Sequence, residues 1–237
     1  TTRYGLDIYN KKSLSHLLHE LSKINNIKWI RFLYAYPDEI DDELISTIKS
    51  NDKIVKYFDI PIQHVSDRIL KNMRRRGSQK DLYDLFNKLR QTIPDVVLRT
   101  SVIVGFPGET SEDFSLLKSF ICNIGFDKLG VFKYSEEEGT TAFNLSNKIS
   151  EKIKEIRFNE IMKVQQSISL KINKKSLGLI FDVLIEKEVK DNLYIGRTYR
   201  DVPDIDGVVY VKSNNQLKIG DFTKIKVTGY SEYDLYG

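Results

Sequence analysis

From residue 29 to residue 134 the chain repeats one pattern. A short apolar, β-branched or aromatic run is closed by a polar, Gly or Pro stop and followed by apolar residues at helical spacing. That alternation leaves little choice of fold, because strands separated by helices pair in parallel and bury their faces under those helices. The runs are Trp29–Tyr34, Ile54–Ile60, Val96–Val104 and Lys128–Tyr134. Between and before them, Leu14 to Ile24, Asp41 to Ser50, the segment opened by Ser66 and Asp67, and Ser78 to Thr92 read as helices. Thr110-Ser111-Glu112-Asp113 has the capping-box pattern that starts a further helix.

A long helix is predicted over 150–175. Beyond Leu177 the apolar period falls to two, over 180–185, 193–198, 208–211 and 222–227, punctuated by Gly178, Gly196, Gly207, Gly220 and Gly229. Short strands with such stops predict a small all-β barrel of the OB or SH3-like kind. The predicted fold class is therefore α/β: part of a TIM-like (βα) barrel over residues 1–150, a connecting helix over 151–175, and an OB-like β-barrel over 176–237.

Charge and cysteine content narrow the chemistry. The net charge is +4. From Lys174 onward ten Lys and Arg face ten Asp and Glu, so the whole excess lies in the first 173 residues. The C-terminal module is thus not the basic patch expected of a nucleic-acid clamp. The one cysteine, Cys122, cannot form an internal disulfide, which fits a reducing, cytoplasmic compartment. It lies in a helical run and is predicted to be a small buried apolar residue. A metal or Fe–S site built from several cysteines is excluded within these residues. No apolar run approaches the roughly 20 residues of a membrane span. Thr1-Thr2-Arg3-Tyr4 carries no apolar leader segment.

In a βα barrel the working residues sit at the C-terminal ends of the strands. Four such ends are readable: Tyr34 to Pro37, Gln63-His64, Gly105 to Glu109, and Tyr134 to Thr140. Gly105 and Gly108 permit either close backbone approach to a ligand or simply a tight turn. His64 is the one histidine at a strand end; His16 and His19 fall on the first helix, at its surface or boundary. Arg99 lies inside the most apolar strand and requires a partner, either a ligand carboxylate or a protein acid such as Glu109. Lys71, Arg74, Arg75 and Arg76 form a basic cluster, read as a solvated helix end or an anion contact. Glu136 to Glu138 read as a solvated acidic run.

These segments resemble a known family. Pro61-Ile62-Gln63-His64 with Ser66, Met73-Arg74-Arg75-Arg76-Gly77, Leu98-Arg99-Thr100 with Ile103 to Thr110, and Tyr134-Ser135 with Glu138-Gly139-Thr140 occur in this order and spacing in the radical S-adenosylmethionine methylthiotransferases. The final module resembles the TRAM domain of those enzymes. Gly196 to Gly207, with its Pro-acidic-Ile-Asp-Gly run, is similar to the branch that modifies ribosomal protein S-twelve rather than to the tRNA-modifying branch.

The resemblance implies two 4Fe–4S clusters, one of them held by CxxxCxxC, and S-adenosylmethionine as cofactors. It implies a 5′-deoxyadenosyl radical that abstracts hydrogen from an aspartate β-carbon, and ribosomal protein S-twelve or the small ribosomal subunit as partner. Carried onto this sequence, Gly105, Phe106, Pro107, Gly108 and Glu109 match the segment that cradles the adenosine part of S-adenosylmethionine. Gln63 is expected to face its ribose or methionine portion, and Arg99 its carboxylate. Tyr34, His64, Tyr134, Arg200, Asp204 and Asp206 are candidate substrate contacts; no catalytic residue is assigned.

Neither cysteine motif occurs here. The resemblance therefore implies that the cluster-binding start of the barrel precedes Thr1, and that these residues alone are inactive. The competing readings are the same chemistry on tRNA, and a non-catalytic ribosome-binding module.

Overall fold

The computed structural model describes residues 1–190 and 192–237, which divide into two units, Thr1–Gln165 and Gln166–Gly237. The first unit opens with a single helical turn, α1 (Leu6–Tyr9), then α2 (Leu14–Ser22) and α3 (Asp42–Ser50), the latter capped by the Asp41 side chain accepting from the Leu44 N–H. Three parallel strands follow, β1 (Tyr57–Asp59), β2 (Val97–Val104) and β3 (Lys128–Lys133), in the order β1-β2-β3. Helices α4 (Asp67–Asn72) and α5 (Gln79–Thr92) connect the first pair, and α6 (Ser111–Ile124) the second. The predicted capping box is realised, with Thr110 and Asp113 opening α6, and a second one, Ser78 with Asp81, opens α5. Gly125, in the left-handed region, ends α6.

Period two along β2 separates its faces. Leu98, Thr100, Val102 and Val104 are fully buried, whereas Arg99 and Ile103 on the other face are half-buried. Against the buried face pack Phe86 of α5, Phe120 of α6 and Phe126, in edge contacts 4.9–6.1 Å between ring centroids. Such aromatic clusters bind helix to sheet beyond their burial alone.

The predicted strand at 29–34 is an extended segment rather than a full strand. It bonds to the chain before and through β1 only at its ends, through Ile30 with Lys53 and Val55, and Ala35 with Asp59. The predicted strand 54–60 shortens to three residues for a related reason. Pro61 supplies no N–H, and the chain bulges before Gln63 pairs again with β2, its N–H bonding Ser101 O at 2.9 Å.

Helix α7 (Glu151–Lys175) belongs to both units. Its first half is tied to the sheet unit, with Gln165 Nε2 donating to Phe126 O at 2.8 Å. Its second half is tied to the β unit, with Asn173 Nδ2 donating to Ser231 O at 3.1 Å. In that unit β4 (Ile180–Lys190), β5 (Leu193–Arg197), β6 (Val209–Lys212), β7 (Phe222–Lys226), β8 (Gly229–Tyr230) and β9 (Leu235–Tyr236) form one sheet in the order β7-β4-β5-β6-β9-β8. The two edge strands, β7 and β8, are joined by only Val227 and Thr228, so the sheet must curl until its edges meet. Val183, Ile185, Tyr194, Val209, Val211, Val227 and Leu235 fill the interior. The last two strands are additions to the sequence-based expectation; at two residues each they are too short to show a period.

Candidate functional site

The C-terminal ends of β1, β2 and β3 bring together residues that the sequence scatters over a hundred positions. Two kinds of structure occur there. One is a closed loop; the other is a set of open clefts.

The closed loop is Gly105–Glu109. Glu109 is 2% exposed, and its carboxylate turns back under the loop to accept from the Gly105 N–H. Arg157 of α7 lies 3.2 Å from the same carboxylate and donates to the Glu109 carbonyl. His64 is fully buried beside it. His64 Nδ1 accepts from the Ser66 N–H at 3.0 Å, which leaves the ring proton on Nε2, 3.6 Å from Glu109 Oε1. Gly105 is needed for its φ of 75° and because a Cβ would stand 2.3 Å from Lys154 Cγ. The space over Gly105 is therefore filled by the chain's own α7, not left open for a ligand. Gly108, at φ 81°, has only the Arg68 guanidinium nearby.

Behind this loop Asp113 accepts from Ser66 Oγ, the Thr110 N–H and hydroxyl, and Arg68. Burial pushes its carboxyl up, but these hydrogen bonds outweigh burial and hold it at about 2.

Arg99 is also satisfied internally. Asp59, its register partner on β1, lies 2.6 Å away, and the other Asp59 oxygen accepts from the Tyr34 N–H. The partner expected for Arg99 is thus Asp59, not Glu109. Asp59 is the last residue of β1, and Arg99 is the third of β2. Arg99, His64 and Glu109 are consequently held by protein groups, and their geometry is that of support. Phe106 and Pro107 are buried too, with Phe106 meeting Tyr134 edge-on at 5.2 Å.

The open region is different. A cleft of about 470 Å³ is lined by Gln63, Ile103, Phe106, Tyr134 and the Met73–Arg75 segment. A smaller cleft of about 200 Å³ adds Tyr34, Tyr36 and Pro61, and a third of about 430 Å³ runs between Tyr36 and Met73–Arg76. The Tyr134 hydroxyl is buried with no hydrogen-bond partner among the described residues. Burial, then the nearby Glu136, push its ionisation above the usual phenol range, so it stays a neutral donor. Arg75 braces the wall, donating to Pro61 O at 3.0 Å and lying over the Tyr36 ring at 4.9 Å.

Among the described residues, seven non-glycine residues have left-handed backbones: Asn10, Tyr34, Gln63, Arg74, Asn147, Asn192 and Asp204. Four are Asn or Asp, which tolerate that conformation. The other three, Tyr34, Gln63 and Arg74, all line these clefts. Strain held at the rim of a cavity is a mark of a functional surface. Sequence reasoning missed the bracing by Lys154 and Arg157, because nothing in their spacing places α7 against the strand ends.

In the β unit, Arg200 donates to Ser176 Oγ at 2.7 Å and lies over Phe181. Asp206 closes its own turn by accepting from the Val202 N–H at 2.9 Å. Gly207 is required because a Cβ would lie 1.8 Å from Tyr233 O. Of the three candidates there, only Asp204 is exposed, at the tip beside the exposed Ile205. Cys122 is exposed, contrary to expectation. The buried stripe of α6 runs through Phe114, Leu117, Phe120 and Ile121, and residue 122 falls off it. His16 and His19 are exposed, as are Glu136 to Glu138.

S-adenosylmethionine fits the 470 Å³ cleft. Ile103 and Phe106 offer an apolar wall to an adenine, while the unpartnered Tyr134 hydroxyl and the Gln63 carboxamide supply polar contacts. An iron–sulfur cluster does not fit: there is one cysteine, and among the described residues no group of His, Cys, Asp and Glu is placed to hold a metal. Among them, too, no helix is long and apolar enough to cross a membrane.

Residues 8–121 match the Radical SAM superfamily, and residues 177–237 match the TRAM domain. The chain is 52% identical over all 237 residues to a protein of Clostridium botulinum (strain Langeland) named ribosomal protein uS12 methylthiotransferase RimO. It is 48% identical over the same length to the protein of that name from Clostridioides difficile (strain 630). The chain spans about half the length of these relatives, 53% in each case. Among solved structures, coproporphyrinogen III oxidase HemN from Escherichia coli, described as a radical SAM enzyme, aligns with a TM-score of 0.55. That alignment covers 78% of this chain and 50% of that one at 14% identity, a likeness of fold alone. The chain thus carries a match to the radical SAM superfamily over residues 8–121 and to the TRAM domain over residues 177–237, and over its whole length it is similar to proteins named RimO.

Proposed function

We propose that this chain forms the S-adenosylmethionine cleft and the TRAM module of a cytoplasmic methylthiotransferase acting on the β-carbon of an aspartate in ribosomal protein uS12. The observation that carries this reading is the identity of about half of all residues, over the whole chain, to proteins named for that activity. The cleft supports it chemically. S-adenosylmethionine, when bound beside a cluster held by residues outside this chain, supplies the hydrogen-abstracting chemistry and a methyl group.

The residues present here bind, orient and exclude water. Ile103 and Phe106 shield the adenosine from solvent, and Gln63 and the Tyr134 hydroxyl fix its polar edge. The Glu109–Arg157–Lys154 framework holds Phe106 and Tyr134 at their positions, since Lys154 Nζ donates to Tyr134 O at 2.9 Å. The neutral charge of the TRAM module, ten cations against ten anions from Lys174 on, favours a protein over tRNA as the substrate.

The test uses the full-length protein with its clusters reconstituted. Purified uS12 should gain one methylthio group by mass spectrometry, and tRNA none. Modification of tRNA, with binding that falls steeply with salt, would overturn the choice of substrate. Absence of CxxxCxxC in the gene upstream of Thr1 would overturn the enzyme reading altogether.

A further inference from the structure

We propose that the Arg74 guanidinium recognises the side-chain carboxylate of the substrate aspartate; this rests on the function proposed above. Three consecutive arginines line the strand-end clefts, and they are not equivalent. Arg75 is committed to Pro61 O and to the Tyr36 ring. Arg76 faces Asp38 at 3.8 Å. Arg74 is exposed, and no carboxylate of the described residues pairs with it.

The backbone shows that an arginine is not there for structural reasons. The end of α4 is a Schellman motif: the Arg74 N–H bonds Lys71 O at 3.0 Å, and the Arg75 N–H bonds Leu70 O at 2.8 Å. In that motif the residue in Arg74's place is left-handed and is usually glycine. Arg74 occupies it at φ 55°. A long cation therefore sits where the local geometry prefers no side chain at all, and it does so at the rim of the same cleft as Gln63 and Tyr134. The other walls of that cleft include Ile103 and Phe106, and no acidic residue lines it.

One free guanidinium beside apolar walls matches one carboxylate, which it can take with two parallel hydrogen bonds. It does not match a nucleic-acid backbone, which needs several free cations in a row. The role assigned is that of a specificity-determining residue: it presents the aspartate β-carbon to the cofactor cleft by holding the carboxylate next to it.

Arg74→Gly provides the test, because glycine suits the backbone and removes the guanidinium. In the full-length enzyme this variant should melt no lower than wild type. Its binding is read by fluorescence anisotropy against purified uS12 and against uS12 with the target aspartate changed to asparagine. Wild type should bind the aspartate form about tenfold or more tightly than the asparagine form, and Arg74→Gly should bind both alike, at the weaker level. Calorimetric affinity for S-adenosylmethionine should be unchanged. Equal binding of native uS12 by wild type and Arg74→Gly would sink the proposal and leave the proposed function standing. A loss shared by both uS12 forms, or a loss of S-adenosylmethionine affinity, would reassign Arg74 to another ligand. Failure of the wild-type enzyme to bind or modify uS12 would overturn both readings together.

Discussion

The Gly105–Glu109 loop and the cleft beside it share Phe106, yet they are built in opposite ways. In the loop most polar groups are answered from within the chain: Glu109 meets the Gly105 N–H and Arg157, Lys154 covers Gly105, and Arg68 donates to Gly108 O at 2.8 Å, while Glu109 Oε1 and His64 Nε2 face each other at 3.6 Å without a hydrogen bond. In the cleft Tyr134 keeps an unanswered hydroxyl, Arg74 an unanswered charge, and Gln63 and Tyr34 a strained backbone. The glycine-rich strand end is braced from behind by Arg157 and Lys154 and presents Phe106 to the cleft. The surface left for a ligand is the one it supports. Framework residues should thus cost stability when altered, and cleft residues should cost binding.

The largest effect is expected at Glu109. Glu109→Ala leaves Arg157 buried without its counter-charge and the Gly105 N–H without an acceptor. Breaking such a buried pair costs about 3–5 kcal/mol. Urea denaturation should show this loss with S-adenosylmethionine absent. A stable variant with weakened cofactor binding would instead move Glu109 into the cleft's chemistry.

Gly105 and Gly108 sharpen the comparison within the loop. Both are left-handed, so alanine costs each about 1–2 kcal/mol of backbone strain. Only at Gly105 does the new Cβ collide with a held side chain, Lys154, which is 5% exposed and bonded to Tyr134 O. Gly105→Ala should therefore be the more destabilising by about 1–3 kcal/mol, the range of overpacking. Equal midpoints for the two variants would show that Lys154 swings aside freely.

Asp113 tests the framework through pH. Its folded carboxyl ionises at about 2 against an ordinary 3.8. A depressed value means that the ion stabilises the fold fully above pH 3.8, and that this contribution is lost as pH falls from there through about 2. The shift corresponds to about 2 kcal/mol. Asp113→Asn should lower stability by about that amount at neutral pH and flatten its dependence across this window. An unchanged acid slope in the variant would assign the acid sensitivity to other carboxylates.

Much of this framework was legible in the sequence, and the reason is local. The capping pattern at Thr110, the apolar run of β2 and the period change after Leu177 are each decided by neighbours within a few residues. Arg99 also announced that it needed an acid, because a charge inside an apolar strand requires one. Which acid it is depends on the β1–β2 register, and that is why Asp59 could not be chosen over Glu109 in advance. The fate of Gly105 depended on α7, fifty residues away. Asp206 looked like a recognition residue because it lies in a distinctive run, and the structure shows it closing its own turn by accepting from the Val202 N–H. Arg74 was legible only as one member of a basic cluster; its left-handed backbone, which sets it apart from Arg75 and Arg76, depends on how α4 ends.

The smallest change in stability, and the most informative about the cleft, is expected at Tyr134. Its hydroxyl is buried without a partner, which is unfavourable in the free protein and useful only if a ligand supplies the acceptor. Tyr134→Phe keeps the edge contact with Phe106 and the apolar wall while removing only that oxygen. Stability should hold or rise by up to about 1 kcal/mol, since a buried hydroxyl with no bond is removed. S-adenosylmethionine affinity of the full-length protein, measured by calorimetry, should fall about three- to tenfold, the worth of one neutral hydrogen bond. The two readouts are expected to move in opposite directions, the reverse of Glu109→Ala. If Tyr134→Phe instead loses stability and keeps its affinity, the hydroxyl belongs to the framework, and the division between framework and cleft has to be redrawn on the other side of Tyr134.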